Sequence, residues 1–214
     1  MNVFLIMLML AGVCLLTGFL MGRSLRWQKN LGEALVAETI ARGFRRPHAL
    51  INNVTLEAEG GTTQIDHVLV ADTGIFVIET KHYQGWIFGR PADPHWTQVI
   101  YRRKARFLNP LRQNEGHLRA VRSLFNLPPE AFFGVVVFSG DAEFKTDCGP
   151  SVLKLCQLTD YLSTGRPTLF DERKMAYIVG RIEMKRLRRS VETDEHHLNS
   201  LRRRLGKQMR SVAN

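Results

Sequence analysis

The hydrophobic positions of this chain fall into blocks of different period, and each period predicts an element. From Met1 to Gly22 the run MNVFLIMLMLAGVCLLTGFLMG carries no charged side chain. As a helix it would extend about 33 Å, against a hydrocarbon core of about 30 Å, which predicts one transmembrane helix. From Trp27 to Gly43 the spacing turns helical, with Leu31, Leu35, Val36 and Ile40 on one side and Gly43 as the stop. Ala49 to Ala58 then alternates as a strand does, and Glu59-Gly60-Gly61 turns the chain.

The stretch Gln64 to His82 follows, QIDHVLVADTGIFVIETKH, with apolar runs Ile65–Val70 and Ile75–Ile78 around Ala71-Asp72-Thr73-Gly74. It reads as a β-hairpin with Asp and Gly at the bend. Alternation puts Asp66, Val68 and Val70 on one face with Ile75, Val77, Glu79 and Lys81. Ile65, His67 and Leu69 fall on the other with Phe76, Ile78 and Thr80. Apolar residues on both faces predict strands inside a covered sheet. A bend centred between Asp72 and Thr73 places Asp66 opposite Glu79; a slip of two places it opposite Lys81, on the same face.

Downstream, Gly85–Gly89 and His95–Arg103 read as two further strands around the bend Arg90-Pro91-Ala92-Asp93-Pro94. A helix is predicted from Asn109 or Pro110 to Phe125, with cap and proline in the favourable order. Phe132–Ser139 reads as an interior strand, Ser151–Cys156 as a short one, and Thr159–Leu162 and Asp171–Leu187 as helices. Trp86 and Trp96 read as core residues before base-stacking ones. His117, one turn after Gln113, reads as a surface residue.

Composition narrows the partners. The chain has 214 residues, 44% hydrophobic and 23% charged, with a net charge of +10. That balance is globular and favours polyanions, nucleic acid or anionic lipid, without choosing between them. Three cysteines without CxxC spacing argue against a zinc site or a disulfide framework. Arg23, Arg26 and Lys29 follow the uncharged run instead of preceding it, which argues against a cleaved signal and points residues 23–214 to the cytoplasm.

Three charges on one hairpin face carry the candidate chemistry. Two carboxylates about 4 Å apart repel by roughly 4 kcal/mol at an effective dielectric near 20. Removing either one is therefore expected to relieve the metal-free protein. A divalent cation offsets that repulsion, and paired carboxylates are the hard oxygen ligands Mg²⁺ takes. Lys81 points at the same spot.

Asp66 followed by Glu79-Thr80-Lys81 across a hairpin resembles the D…(D/E)xK signature of the restriction-endonuclease-like superfamily. More narrowly, with Gly32-Glu33 upstream and Trp96, Asn109-Pro110-Leu111-x-Gln113 and Phe133–Phe138 downstream, the chain resembles the nuclease-related domain (NERD) family. The resemblance implies an α/β fold, a restriction-endonuclease-like αβββαβ core with a mixed central sheet, here preceded by one N-terminal transmembrane helix. It implies catalytic residues Glu33, Asp66, Glu79 and Lys81, with Asp66, Glu79 and Glu33 holding Mg²⁺ or Mn²⁺. Glu38 is the second candidate for the helix acid, and an acid complementing the helix dipole is the plain alternative for Glu33.

Arg102, Arg103, Lys104 and Arg106 form a basic cluster that reads as phosphate-contacting residues or a solvated loop. With Gln113, which belongs to the family-like pattern, Arg102, Arg103 and Lys104 are the expected nucleic-acid contacts. The expected organisation is a membrane anchor at 1–22, a basic linker at 23–30, the nuclease-related domain at 31–165 and a helical basic extension at 166–214. The expected partners are nucleic acid, DNA first, and the inner (cytoplasmic) membrane, spanned once with the domain facing the cytoplasm. A non-catalytic nucleic-acid-binding or interaction module at the membrane is the rival.

Overall fold

A computed structural model describes residues 27–187. The two apolar arms form β2 (Gly61–Ala71) and β3 (Gly74–Lys81). They pair antiparallel in the expected register, Val68 opposite Val77 and Ala71 opposite Gly74. Gly74 has φ +144°, and a Cβ there would lie 2.6 Å from the Phe133 ring. Arg46 grips the bend from outside, donating to both Asp72 carboxylate oxygens at 2.8 and 2.7 Å.

Strand β1 (His48–Ala58) pairs antiparallel with β2. On the other side β7 (Phe132–Phe138) runs parallel to β3, and β9 (Val152–Lys154) runs parallel to β7. The order β1-β2-β3-β7-β9 makes a mixed sheet, as the sequence led us to expect. Both faces are covered, which explains the arms' unbroken apolar character. Helix α1 (residues 27–43) and the short α3 (Leu158–Ser163) bury Val36, Ile40, Leu158 and Leu162 against Leu69, Phe76 and Ile78. Helices α2 (Pro110–Arg122) and α4 (Glu172–Lys185) bury Leu118, Val121, Ile178 and Ile182 against Val68, Val70, Ile75 and Val77.

One strand departs from simple alternation. Asn53 of β1 takes φ +54°, and the β1–β2 ladder passes from Asn52·His67 to Val54·Ile65 without a pair at Asp66. Ile65 consequently packs with Val54, Val68 and Val70 and not with Leu69 and Phe76, correcting the alternation over that residue. The irregularity falls at Asp66.

The two further strands expected at Gly85–Gly89 and His95–Arg103 stand in a second sheet, together with two strands the sequence reading does not contain. Strands β4 (Gly85–Phe88), β5 (His95–Ile100), β6 (Arg103–Leu108) and β8 (Ala142–Phe144) stand in the order β6-β5-β4-β8. Ile87 and Trp96 anchor it to Val136, Phe138 and Val152. Three of the four clustered basic residues, expected in a loop or at the end of the preceding strand, stand instead on β6; Arg102 lies in the β5–β6 turn. Of the two tryptophans read as core, Trp96 is fully buried and Trp86 is half exposed.

Among the described residues no helix is long and apolar enough to cross a membrane. The uncharged run 1–22 and the basic residues beyond 187 lie outside the described residues.

Candidate active site

Helix α2 is fixed before it contributes to the site. Asn109 caps it, accepting from Leu111 N–H at 2.9 Å and donating to the Asp93 and Pro91 carbonyls at 2.7 and 3.0 Å. One turn on, the buried Asn114 amide donates to the Val77 and Val135 carbonyls, each at 3.0 Å, and so ties the helix to β3 and β7. Gln113 and His117 are thereby aimed at the end of β3. On the opposite face, Gly32 lets α1 come close: a Cβ there would meet His82 Cβ and Ser139 Oγ, both at 2.8 Å. That approach carries Glu33 towards the same strand end.

Glu79 is buried, and every oxygen of its carboxylate has a partner. Lys81 Nζ donates to Oε1 at 2.6 Å, and His117 Nε2 donates to Oε2 at 3.1 Å. A carboxylate only accepts, so His117 donates through Nε2, while its Nδ1 shares a hydrogen bond with the Thr63 hydroxyl at 2.7 Å. Lys81 also donates to Gln113 Oε1 at 3.0 Å. Burial pushes Glu79 up, but Lys81 and His117 outweigh it and hold its carboxyl at about 2. Lys81 is lowered by burial and raised more by Glu79, so it keeps its charge.

Asp66 sits where the regular β2–β3 ladder ends. Its Oδ2 accepts from the Thr80 N–H at 2.9 Å, and Lys29 Nζ lies 3.2 Å from Oδ1. Burial first, and then the Glu79 charge, push Asp66 up to about 6 against the pull of Lys29. The two carboxylates interact, the Glu79 charge raising Asp66. Lys29 also lies 3.5 Å from Glu33, one turn along α1, and joins it to Asp66.

The structure thus brings Glu33, Asp66, Glu79, Lys81 and Gln113 to one strand end and leaves Arg103 and Lys104 on β6 of the second sheet, with Arg102 in the turn before it. Glu38 is exposed and paired with Arg42 on the outer side of α1. Helix α1 already runs at residue 27, so Glu33 stands more than a turn inside it, and the helix dipole does not explain its place. Two site residues escaped the sequence reading. His117 is buried against Glu79, correcting its assignment to the surface; the spacing Gln113-x-x-x-His117 was its only signal. Lys29 was counted only as a membrane-flanking charge, although Lys29-x-x-x-Glu33 is an i,i+4 pair.

Relief on losing a carboxylate is the expectation for Asp66 alone. Glu79 is the counter-charge of the buried Lys81, and its removal leaves that ammonium unpaired.

Among the described residues no three or more His, Cys, Asp and Glu side chains are disposed to hold a metal ion together. The donor chemistry of Asp66 and Glu79 nevertheless fits a hard divalent cation. Lys29, a long and half-exposed side chain, already places a positive charge between Asp66 and Glu33. Cation entry at Asp66 Oδ1 requires that ammonium to move aside.

A family model described as the nuclease-related domain matches residues 28–139, just over half of the chain. An uncharacterized protein of Bacillus anthracis is 43% identical over 100 residues, which cover 46% of this chain and 47% of that relative. The match therefore spans less than half of the relative's length. No solved structure matches.

Proposed function

The chain belongs to the nuclease-related domain family, and from that premise we propose that it is a membrane-anchored, metal-dependent nuclease hydrolysing phosphodiester bonds in nucleic acid, DNA first. The observation that carries this reading is the meeting of Asp66, Glu79 and Lys81 at the end of one hairpin, with Gln113 on Lys81 and Glu33 joined to Asp66 through Lys29. Helix, three antiparallel strands, helix and parallel strand, with β4–β6 inserted before α2, support a restriction-endonuclease-like αβββαβ core.

Asp66 and Glu79 would hold Mg²⁺ or Mn²⁺, with Glu33 completing the site. Such an ion supplies Lewis acidity towards a phosphoryl oxygen and a more acidic bound water. The rest belongs to this chain. Lys81, steadied by Glu79 and Gln113, presents an ammonium to developing negative charge. His117 fixes the orientation of Glu79 through Oε2. The test is cleavage of labelled DNA and RNA, single- and double-stranded, by the full chain with Mg²⁺, Mn²⁺ or EDTA. Cleavage should need the metal, vanish in Asp66→Asn and Glu79→Gln, and fall roughly a hundredfold in Lys81→Ala. Undiminished cleavage in all three variants would overturn the reading.

The absence of a three-ligand cluster among the described residues favours one rival, a nucleic-acid-binding module without turnover. Wild-type binding without cleavage under every metal condition would select it.

For the rest of the chain, the uncharged run 1–22 followed by Arg23, Arg26 and Lys29 supports a single-pass anchor in the inner membrane. A basic linker at 23–30, the nuclease-related domain at 31–165 and a basic extension at 166–214 would then face the cytoplasm. Full-length protein should resist a carbonate wash, and a chain beginning near Arg26 should be released by it.

A further inference from the structure

The second sheet has one face on the core and one face open, and the open face repeats a two-part row. Paired residues of antiparallel strands share a face, so Trp86 of β4, Val99 of β5 and Lys104 of β6 stand in one line. Phe88, Thr97 and Arg106 stand in the next. Each row sets an exposed aromatic two strands away from an exposed cation, about 9.5 Å at 4.7–4.9 Å per strand. Successive rows are two residues apart, about 6.8 Å. Trp86 is 49% exposed and Phe88 38%.

The tryptophan is held in place. Glu143 of the neighbouring β8 stands opposite it in the parallel ladder, and Lys145 Nζ lies 4.8 Å from the ring centre while pairing with Glu143 at 2.5 Å. The Glu143 charge is thus neutralised locally by Lys145.

From this repeat, and resting on the reading of nucleic acid as the ligand, we propose that the open face of β4–β5–β6 binds single-stranded nucleic acid. Two consecutive bases stack on Trp86 and Phe88 while their phosphates meet Lys104 and Arg106. The spacing selects the single strand. Bases within a duplex strand follow each other every 3.4 Å and cover one another's faces, whereas aromatics about 6.8 Å apart need bases drawn apart. Aromatic side chains with basic neighbours also suit a lipid surface, but the row register, with an aromatic and a cation at a fixed separation in each of two successive rows, favours nucleotides.

The test is fluorescence anisotropy of the full chain with labelled oligo-dT and with a duplex of equal length, in EDTA so that nothing is cleaved. Trp86→Ala with Phe88→Ala should weaken oligo-dT binding at least tenfold and leave duplex binding unchanged. Trp86→Phe with Phe88→Tyr should keep it, which separates stacking from misfolding. Lys104→Ala with Arg106→Ala should lower the single-strand log–log salt slope by about 1.4. Equal losses for single strand and duplex, an unmoved oligo-dT affinity, or a wild type that binds neither would overturn the proposal. So would loss of phosphatidylserine-vesicle binding in the aromatic variant with oligo-dT binding unmoved, which would assign the face to lipid. Because the readout needs no metal, its failure leaves the Asp66–Glu79 site standing, and a cleavage-dead carboxylate variant that still binds oligo-dT leaves this face standing.

Discussion

The end of the central hairpin and the open face of the second sheet both carry dense charge, but their surroundings make that charge do different things. At the hairpin end, Asp66, Glu79 and Lys81 are enclosed, and each is answered by a named partner within about 3 Å. On the second sheet, Arg103, Lys104 and Arg106 are exposed, and no acid answers them within β6. Enclosed charges interact at low effective dielectric, shift one another's protonation and are costly to unpair. Exposed charges are screened by salt and act on a distant polyanion. Substitutions in the first region should therefore move stability, metal response and pH dependence. Those in the second should move only affinity and its salt dependence.

The largest effect is expected from Glu79→Gln in metal-free protein. It unpairs Lys81 and weakens the His117 contact, at a cost of about 3 kcal/mol. A thermal melt in EDTA should fall on the order of ten degrees, while Asp66→Asn should melt no lower than wild type at pH 7. Equal melts for the two variants would erase the asymmetry between the carboxylates.

Next in size is a pH effect with opposing signs. Asp66 is raised from 3.8 to about 6, so the folded state takes up its proton first, and this group adds stability as pH falls through 6. Burial lowers His67 from 6.5 to about 4, so the unfolded state takes up that proton first, and stability is lost as pH falls below 6.5. The two windows overlap and largely cancel. Wild type should hold its Tm within a degree or two between pH 7 and pH 5, and Asp66→Asn should lose about 5 °C over the same range. Parallel pH profiles for the two proteins would contradict this.

Lys29→Ala tests the charge that stands between Asp66 and Glu33. The variant should melt roughly 3 °C below wild type in EDTA, about 1 kcal/mol for a half-exposed pair, and recover fully in Mg²⁺. Failure to recover would make Lys29 a structural cation only.

Smallest in stability is the basic cluster. Neutralising Arg102, Arg103 and Lys104 should leave the melt unchanged within error. It should flatten the log–log salt dependence of nucleic-acid binding by up to about 0.9 for each duplex phosphate that these side chains neutralise. A lowered melt with an unmoved slope would place this cluster in the same class as the hairpin end.

The same division explains what could be read from the residues. The central hairpin was legible because a period of two and an Asp-Thr-Gly bend fix register locally, and the ladder so fixed runs to His67 opposite Ile78, next to Asp66 and Glu79. Ile65 was misplaced because Asn53, on another strand, interrupts the ladder opposite Asp66. His117 and Lys29 were not legible, since each acquires its role only when a helix is laid across the sheet. On the sequence alone both are polar residues beside apolar ones. Strand β6 was hidden by its composition, RKARFL, in which exposed arginines obscure the alternation. Strand β8 has only three residues.

The central claim is that Asp66 and Glu79 are one cation site with Lys81 beside it. Calorimetric titration of Mn²⁺ into the full-length wild type, Asp66→Asn, Glu79→Gln and Lys81→Ala tests it most directly. The account predicts a saturable binding heat in the wild type and in Lys81→Ala, and none in either carboxylate variant. Equal heats in all four proteins, or no heat in the wild type, would contradict it.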